Sequence, residues 1–152
     1  MNVNFRELEI YRLANELVFS TYSLLDKFPD YECNNLTSQL RRAVTCLPLN
    51  IAEGSGSRSY KIFLNYLIFC YRSCLECEAA LYLSRRLRYI NERQHSDLFE
   101  QLDTFVRKLY RYMEYVETKC GDRKKDKSYF YKYEKYRIDR DKSKRENFSR
   151  LC

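Results

Sequence analysis

Three cysteines, Cys70-x3-Cys74-x2-Cys77, have the most suggestive spacing for reactive chemistry in this chain. That spacing holds an iron–sulfur cluster in radical enzymes that use S-adenosylmethionine, where three thiolates wrap one cluster from a loop inside a large barrel. Here the spacing falls inside a helical pattern, in which i, i+4 and i+7 share one face. Phe63, Leu67 and Leu81 extend the same face. The cysteines are therefore expected in the core, with a thiolate metal enzyme as the alternative. His95 is the only histidine and lies near Glu92 and Asp97; without a second histidine for a ligand pair, it is expected to be an exposed surface residue. Asp97, Glu100 and Asp103 read as a solvated or salt-bridged acidic strip. No serine, cysteine or lysine sits in a nucleophile elbow. The expectation is a non-enzyme with no catalytic residue, no metal ligand and no cofactor.

Chemistry toward anions is better represented. Gly54-Ser-Gly56-Ser-Arg58 could hold a phosphate through backbone N–H groups ahead of a helix, but it lacks the longer glycine pattern and the preceding strand of phosphate loops. It reads as a plain interhelix turn. Stronger candidates for polyanion contact are Arg41 with Arg42, Arg58 with Lys61, Arg85 and Arg86 with Arg88, and Arg107 and Lys108 with Arg111. Adjacent helical residues point about 100° apart, so one cation of each pair can meet a carboxylate while the other faces out. Glu53, Glu76 and Glu78 are the expected carboxylates. After Gly121 the chain interleaves lysines and arginines, Lys124 and Lys125 among them, with Tyr129, Tyr131, Tyr133 and Tyr136. Cations there can meet phosphates and tyrosines can stack on unpaired bases.

The elements that position these residues follow from composition and punctuation. The 152 residues hold only three glycines and two prolines, too few turns for a strand-rich fold. Residues 1–120 carry 16 basic and 15 acidic side chains, and residues 121–152 carry 12 and 6. This divides the chain into a balanced domain, 1–120, and a basic tail, 121–152, suited to a polyanion. Charges at Arg6, Glu7 and Glu9 interrupt any signal-like start, and no apolar run approaches the length of a membrane span. Seven cysteines, an odd number, argue against a disulfide framework. A cytoplasmic protein with no membrane partner is expected.

Four helical stretches divide residues 1–120. Asn4 with Glu7 reads as a capping box opening a helix that runs to about Lys27, with Leu8, Tyr11, Leu17, Val18, Tyr22 and Leu25 as its stripe. Asn34 or Asn35 caps the second, which bends at Pro48 and ends at Gly54 and Gly56. The third starts at Ser57 to Ser59 and ends near Arg88. Asn91 and Gln94 form a capping box for the fourth, whose stripe is Leu98, Leu102, Phe105, Leu109, Tyr112 and Val116. Short links between long amphipathic helices predict an all-α, antiparallel, up-down-up-down four-helix bundle.

The stretch from Leu36 through Arg41-Arg42-Ala43-Val44, Leu47-Pro48-Leu49-Asn50-Ile51-Ala52-Glu53-Gly54 to Ser59 is similar to the signature of the small four-helix bundle proteins encoded in intervening sequences of 23S ribosomal RNA genes. Phe5-x2-Leu8, Phe28-Pro29-x2-Glu32, Phe63-Leu64, Ser73-x2-Glu76 and Leu87-x-Tyr89-Ile90 support it. The same fold family includes the accessory variability determinant proteins of diversity-generating retroelements. The resemblance implies a homo-oligomer, a ring-shaped pentamer, whose basic surface binds structured RNA, template or ribosomal, and a reverse transcriptase. It also implies that Asn50 to Gly54 is structural, a kinked helix with a buried polar pair. Arg72 and Arg88 stand where the family pattern often has glycine, and the basic tail exceeds the usual family length. The expected RNA contacts are Arg41, Arg42, Arg58, Lys61, Arg85, Arg86 and Arg88, assisted by Lys124, Lys125, Tyr129 and Tyr131. The alternative is a protein-interaction bundle without a nucleic-acid role, its charges all internally paired.

Overall fold

Four long helices run α1 (Glu9–Leu25), α2 (Leu36–Ser55), α3 (Tyr60–Arg86) and α4 (Glu92–Thr118) in a computed structural model that describes residues 1 and 3–121. The chain divides into two units, Met1–Gly121 and Asp122–Cys152. Lys124, Lys125, Tyr129 and Tyr131 lie outside the described residues. In the first unit α1 packs on α2 and α4, and α3 packs on the same two helices. Tyr89, in the α3–α4 link, meets Phe28 and Tyr31 from the α1–α2 link, so both connections share one end, here the upper end. At the lower end Lys108 of α4 bonds to Glu9 of α1, and Phe63 of α3 packs edge-on against Tyr112 of α4. This is the expected all-α antiparallel bundle.

The core is one cluster drawn from all four helices, centred on Leu40, Leu47, Ile51, Phe63, Leu67, Phe105 and Leu109. Cys70, Cys74 and Cys77 lie inside it. The Cys70 thiol points at the Leu47 carbonyl, 3.6 Å away, and the Cys74 thiol at the Cys70 carbonyl, 3.3 Å away. Burial pushes the Cys74 and Cys77 thiols well above their ordinary values, so they stay protonated and act as small apolar groups.

Helix ends differ from expectation in instructive ways. The Asn4 and Glu7 pair caps a single 3-10 turn, Phe5–Glu7, and α1 begins only at Glu9. The buried stripe of α1 is Ile10, Ala14, Leu17, Thr21, Leu24 and Leu25, while Tyr22 is exposed. The expected stripe was rotated toward the larger apolar side chains, because small Ala14 and polar Thr21 do not announce themselves as core. Met113 is likewise buried on α4, and Tyr112 only flanks the core. The α2 helix passes through Pro48 without a break. Gly54 lies inside α2 rather than ending it; a Cβ there would stand 2.6 Å from Phe63 and from Tyr66. Glycine is what lets α3 approach α2 so closely.

The end of α3 is a left-handed cap. Arg88 takes φ +61°, its N–H bonds to the Arg85 carbonyl at 3.0 Å, and the Tyr89 N–H reaches back to the Ser84 carbonyl at 3.0 Å. That geometry favours glycine, and here arginine occupies it. The predicted capping box at Asn91 and Gln94 is present in full.

Candidate nucleic-acid interface

The expected basic residues divide between the two ends of the bundle. The Tyr66 hydroxyl of α3 donates to Glu53 of α2, and Cys70 faces Leu47. This antiparallel register sets Arg41 and Arg42 level with the Leu75 to Glu78 stretch of α3, just above its middle. Arg85, Arg86 and Arg88 share that upper half. Lys61 stands 24 residues before Arg85, about 36 Å along the axis, so Arg58 and Lys61 belong to the lower end.

Charge pairing sorts them further. Arg85 donates to Glu92 at 2.8 Å and lies over the Tyr82 ring. Arg107 is held by Asp103 at 3.3 Å and Lys108 by Glu9 at 3.0 Å. Arg12 bonds to Glu16, and Arg93 lies 3.8 Å from Asp97. In contrast, Arg41, Arg42, Arg58, Lys61, Arg86 and Arg88 are exposed and meet no carboxylate among the described residues. Arg41 leans over the Tyr22 ring of α1 at 5.8 Å. Exposed ion pairs stabilise little, yet they cancel charge locally. Outside these pairs, Arg41, Arg42, Arg86 and Arg88 remain in the upper half and Arg58 and Lys61 at the lower end. Glu53, one of the expected arginine partners, instead takes the Tyr66 hydroxyl, and this bond pushes the Tyr66 phenol up. Glu53 is exposed and Asn50 half-buried, with its amide on the Cys46 carbonyl at 2.7 Å. The buried polar pair expected there is absent.

Opposite features mark the α1–α4 face. Its shallow groove is lined by Leu13, Leu17, Gln101 and Thr104 with the carboxylates Glu16, Asp97 and Glu100, of which Glu16 and Asp97 are paired with Arg12 and Arg93. His95, expected to be exposed, is half-buried and stacks on Phe99, with ring centroids 5.7 Å apart. Burial, then the Arg85 charge, lowers its pKa. The Gly56 to Ser59 turn satisfies itself: Ser57 donates to the Ser59 carbonyl and Ser59 accepts from Lys61 N–H. Among the described residues no group of three or more His, Cys, Asp or Glu side chains could hold a metal ion, and no helix is long and apolar enough to cross a membrane.

One network at the upper end escaped the sequence reading. Asn35 stands at the N-cap of α2 but makes no side-chain cap. Glu32 does so instead: its Oε2 accepts from the Leu36 N–H and from the Asn35 amide, both at 3.0 Å. Its Oε1 accepts from the Tyr89 hydroxyl at 2.9 Å, which accepts from the Tyr31 hydroxyl at 3.2 Å. Glu32 is 7% exposed. The Leu36 N–H, then the Tyr89 hydroxyl, hold its carboxyl below the ordinary range despite burial. The bond from Tyr31, followed by burial and Glu32, pushes the Tyr89 phenol up. The available signal was a glutamate four residues before a helix start, beside a proline-initiated turn.

Residues 6–111 match the family model described as 23S rRNA-intervening sequence protein. A solved structure of a Bacteroides thetaiotaomicron protein, described as having unknown function and coming from the S23 ribosomal protein family, is similar over 68% of this chain and 97% of its own, with TM-score 0.62 and 20% identity. At that identity the likeness is one of fold. No curated protein matches the chain.

Proposed function

Because the chain belongs to the 23S rRNA-intervening sequence protein family, we propose that it is a non-enzymatic, cytoplasmic RNA-binding bundle. One observation carries this reading: Arg41, Arg42, Arg86 and Arg88 are exposed in the upper half of the bundle without carboxylate partners among the described residues, whereas Arg85 beside them is paired with Glu92. Such cations displace counterions from phosphates and fix orientation without reading sequence. Specificity then comes from RNA shape and from a partner enzyme. The resemblance to accessory variability determinant proteins supports a reverse transcriptase as that partner. Exposed Leu49, Ile62 and Phe69 on the outer flank of the α2–α3 pair support assembly with further copies of the chain, a pentameric ring on the same resemblance.

The test is a titration of structured RNA, across a salt series, with the native chain and with the double variant Arg41→Ala/Arg42→Ala. The variant is expected to keep its helical circular dichroism, bind at least several-fold more weakly and show a salt slope shallower by about two. Unchanged affinity removes these arginines from the interface. If the native chain binds no RNA even at low salt, the protein-interaction reading replaces this one.

A further inference from the structure

Tyr31 is 75% exposed, the most exposed of the large apolar side chains among the described residues, yet both its ring and its hydroxyl have a partner. Its ring meets Tyr89 edge-on at 6.3 Å, and Tyr89 in turn tilts against buried Phe28 at 5.6 Å. Its hydroxyl ends the relay to Glu32 and so to the first N–H of α2. The backbone beneath it is a 3-10 turn, Asp30–Glu32, started by Pro29. An exposed aromatic ring ordinarily samples several rotamers and loses that freedom when it binds. Here the ordering is supplied in advance by a carboxylate that α2 needs anyway. The protein thus presents to solvent an aromatic face with its ring edge and hydroxyl already engaged.

Its surroundings select an occupant. Arg88 directly precedes Tyr89 in the left-handed cap that ends α3, and Arg86 lies two residues earlier; both are exposed without carboxylate partners among the described residues. Asp30 adjoins Tyr31, so phosphate is not drawn onto the ring itself. A flat, uncharged group suits the ring, and phosphates flanking it suit the arginines that lead into Tyr89, the ring's neighbour. Nucleobases freed from pairing fit this division: they stack on aromatic faces while cations track the backbone. We propose that the upper end of the bundle is a single-strand site, in which the Tyr31 ring stacks an unpaired base and Arg86 and Arg88 hold the flanking phosphates. This deepens the RNA-binding reading and rests on it.

The experiment compares a 12-nucleotide oligouridine with an RNA duplex of the same length, titrated with the native chain, Tyr31→Ala and Tyr31→Phe. Tyr31→Ala is expected to weaken single-strand binding by about 5- to 100-fold, the worth of one base–aromatic stack. Its salt slope and its duplex affinity should stay unchanged, because no phosphate contact is removed. Tyr31→Phe keeps the ring and should stay within about 3-fold of the native chain on the single strand, well above the loss expected for alanine. Native single-strand affinity in Tyr31→Ala overturns the proposal, as does an equal loss on the duplex. A changed oligomer mass in Tyr31→Ala with intact single-strand binding also overturns it, and assigns the ring to a protein contact. If the native chain binds neither RNA, the broader reading falls and this site with it.

Discussion

Arg88 and Gly54 show how much one side chain decides at two tight places. At φ +61° a residue with a Cβ is strained by about 1–2 kcal/mol, and glycine recovers part of that after its own entropy cost in the unfolded chain. Arg88→Gly is therefore expected to raise stability by about 0.5–1 kcal/mol while lowering RNA affinity and reducing the salt slope by about one. Urea denaturation and a salt-series titration read the two effects separately. Gly54 is the reverse case. With Phe63 and Tyr66 each 2.6 Å from where a Cβ would stand, Gly54→Ala must push α3 away from α2. A loss of about 1–3 kcal/mol is expected, measured as a lowered denaturation midpoint with little change in the slope.

Among the elements, α2 depends on a cap that sequence did not reveal. The carboxylate of Glu32 has a lowered folded-state pKa, chiefly through the Leu36 N–H. Its stabilising effect is therefore present above the unfolded value near 4.5 and is lost as pH falls through the folded one. Glu32→Gln is expected to lower the denaturation midpoint at pH 7 and to flatten its fall with acid below about pH 4.5. Equal pH profiles for variant and native chain would remove Glu32 from this role. Asn91 with Gln94 was legible because a capping box is a local pattern, and Ser59 for the same reason. The Glu32 bonds join a turn to a link 57 residues away, and no local pattern carries such a partner. The stripes of α3 and α4 are legible because apolar residues, the three cysteines of α3 among them, recur there at spacings of three and four. That of α1 is not, because Ala14 and Thr21 fill it. The arginines were visible as types, but their division into paired and unpaired, and between upper and lower ends, needed the packed helices.

For the molecule as a whole, the described core lies within residues 10–116, and the basic excess lies mostly beyond residue 120. Residues 1–121 alone are expected to remain helical and to bind structured RNA, with a shallower salt slope than the full chain because fewer phosphates are neutralised. Binding confined to the full chain would move the interface to the tail and leave the bundle as a platform. The relay from Tyr31 through Tyr89 to Glu32 also has a consequence in time. Each hairpin, α1 with α2 and α3 with α4, can zip through contacts close in sequence, whereas this clasp closes only after both have formed. Interactions made that late are absent from the folding barrier and hold back the return over it. Breaking the clasp with Tyr89→Phe is therefore expected to speed unfolding more than it slows folding, read from the two arms of a denaturant chevron.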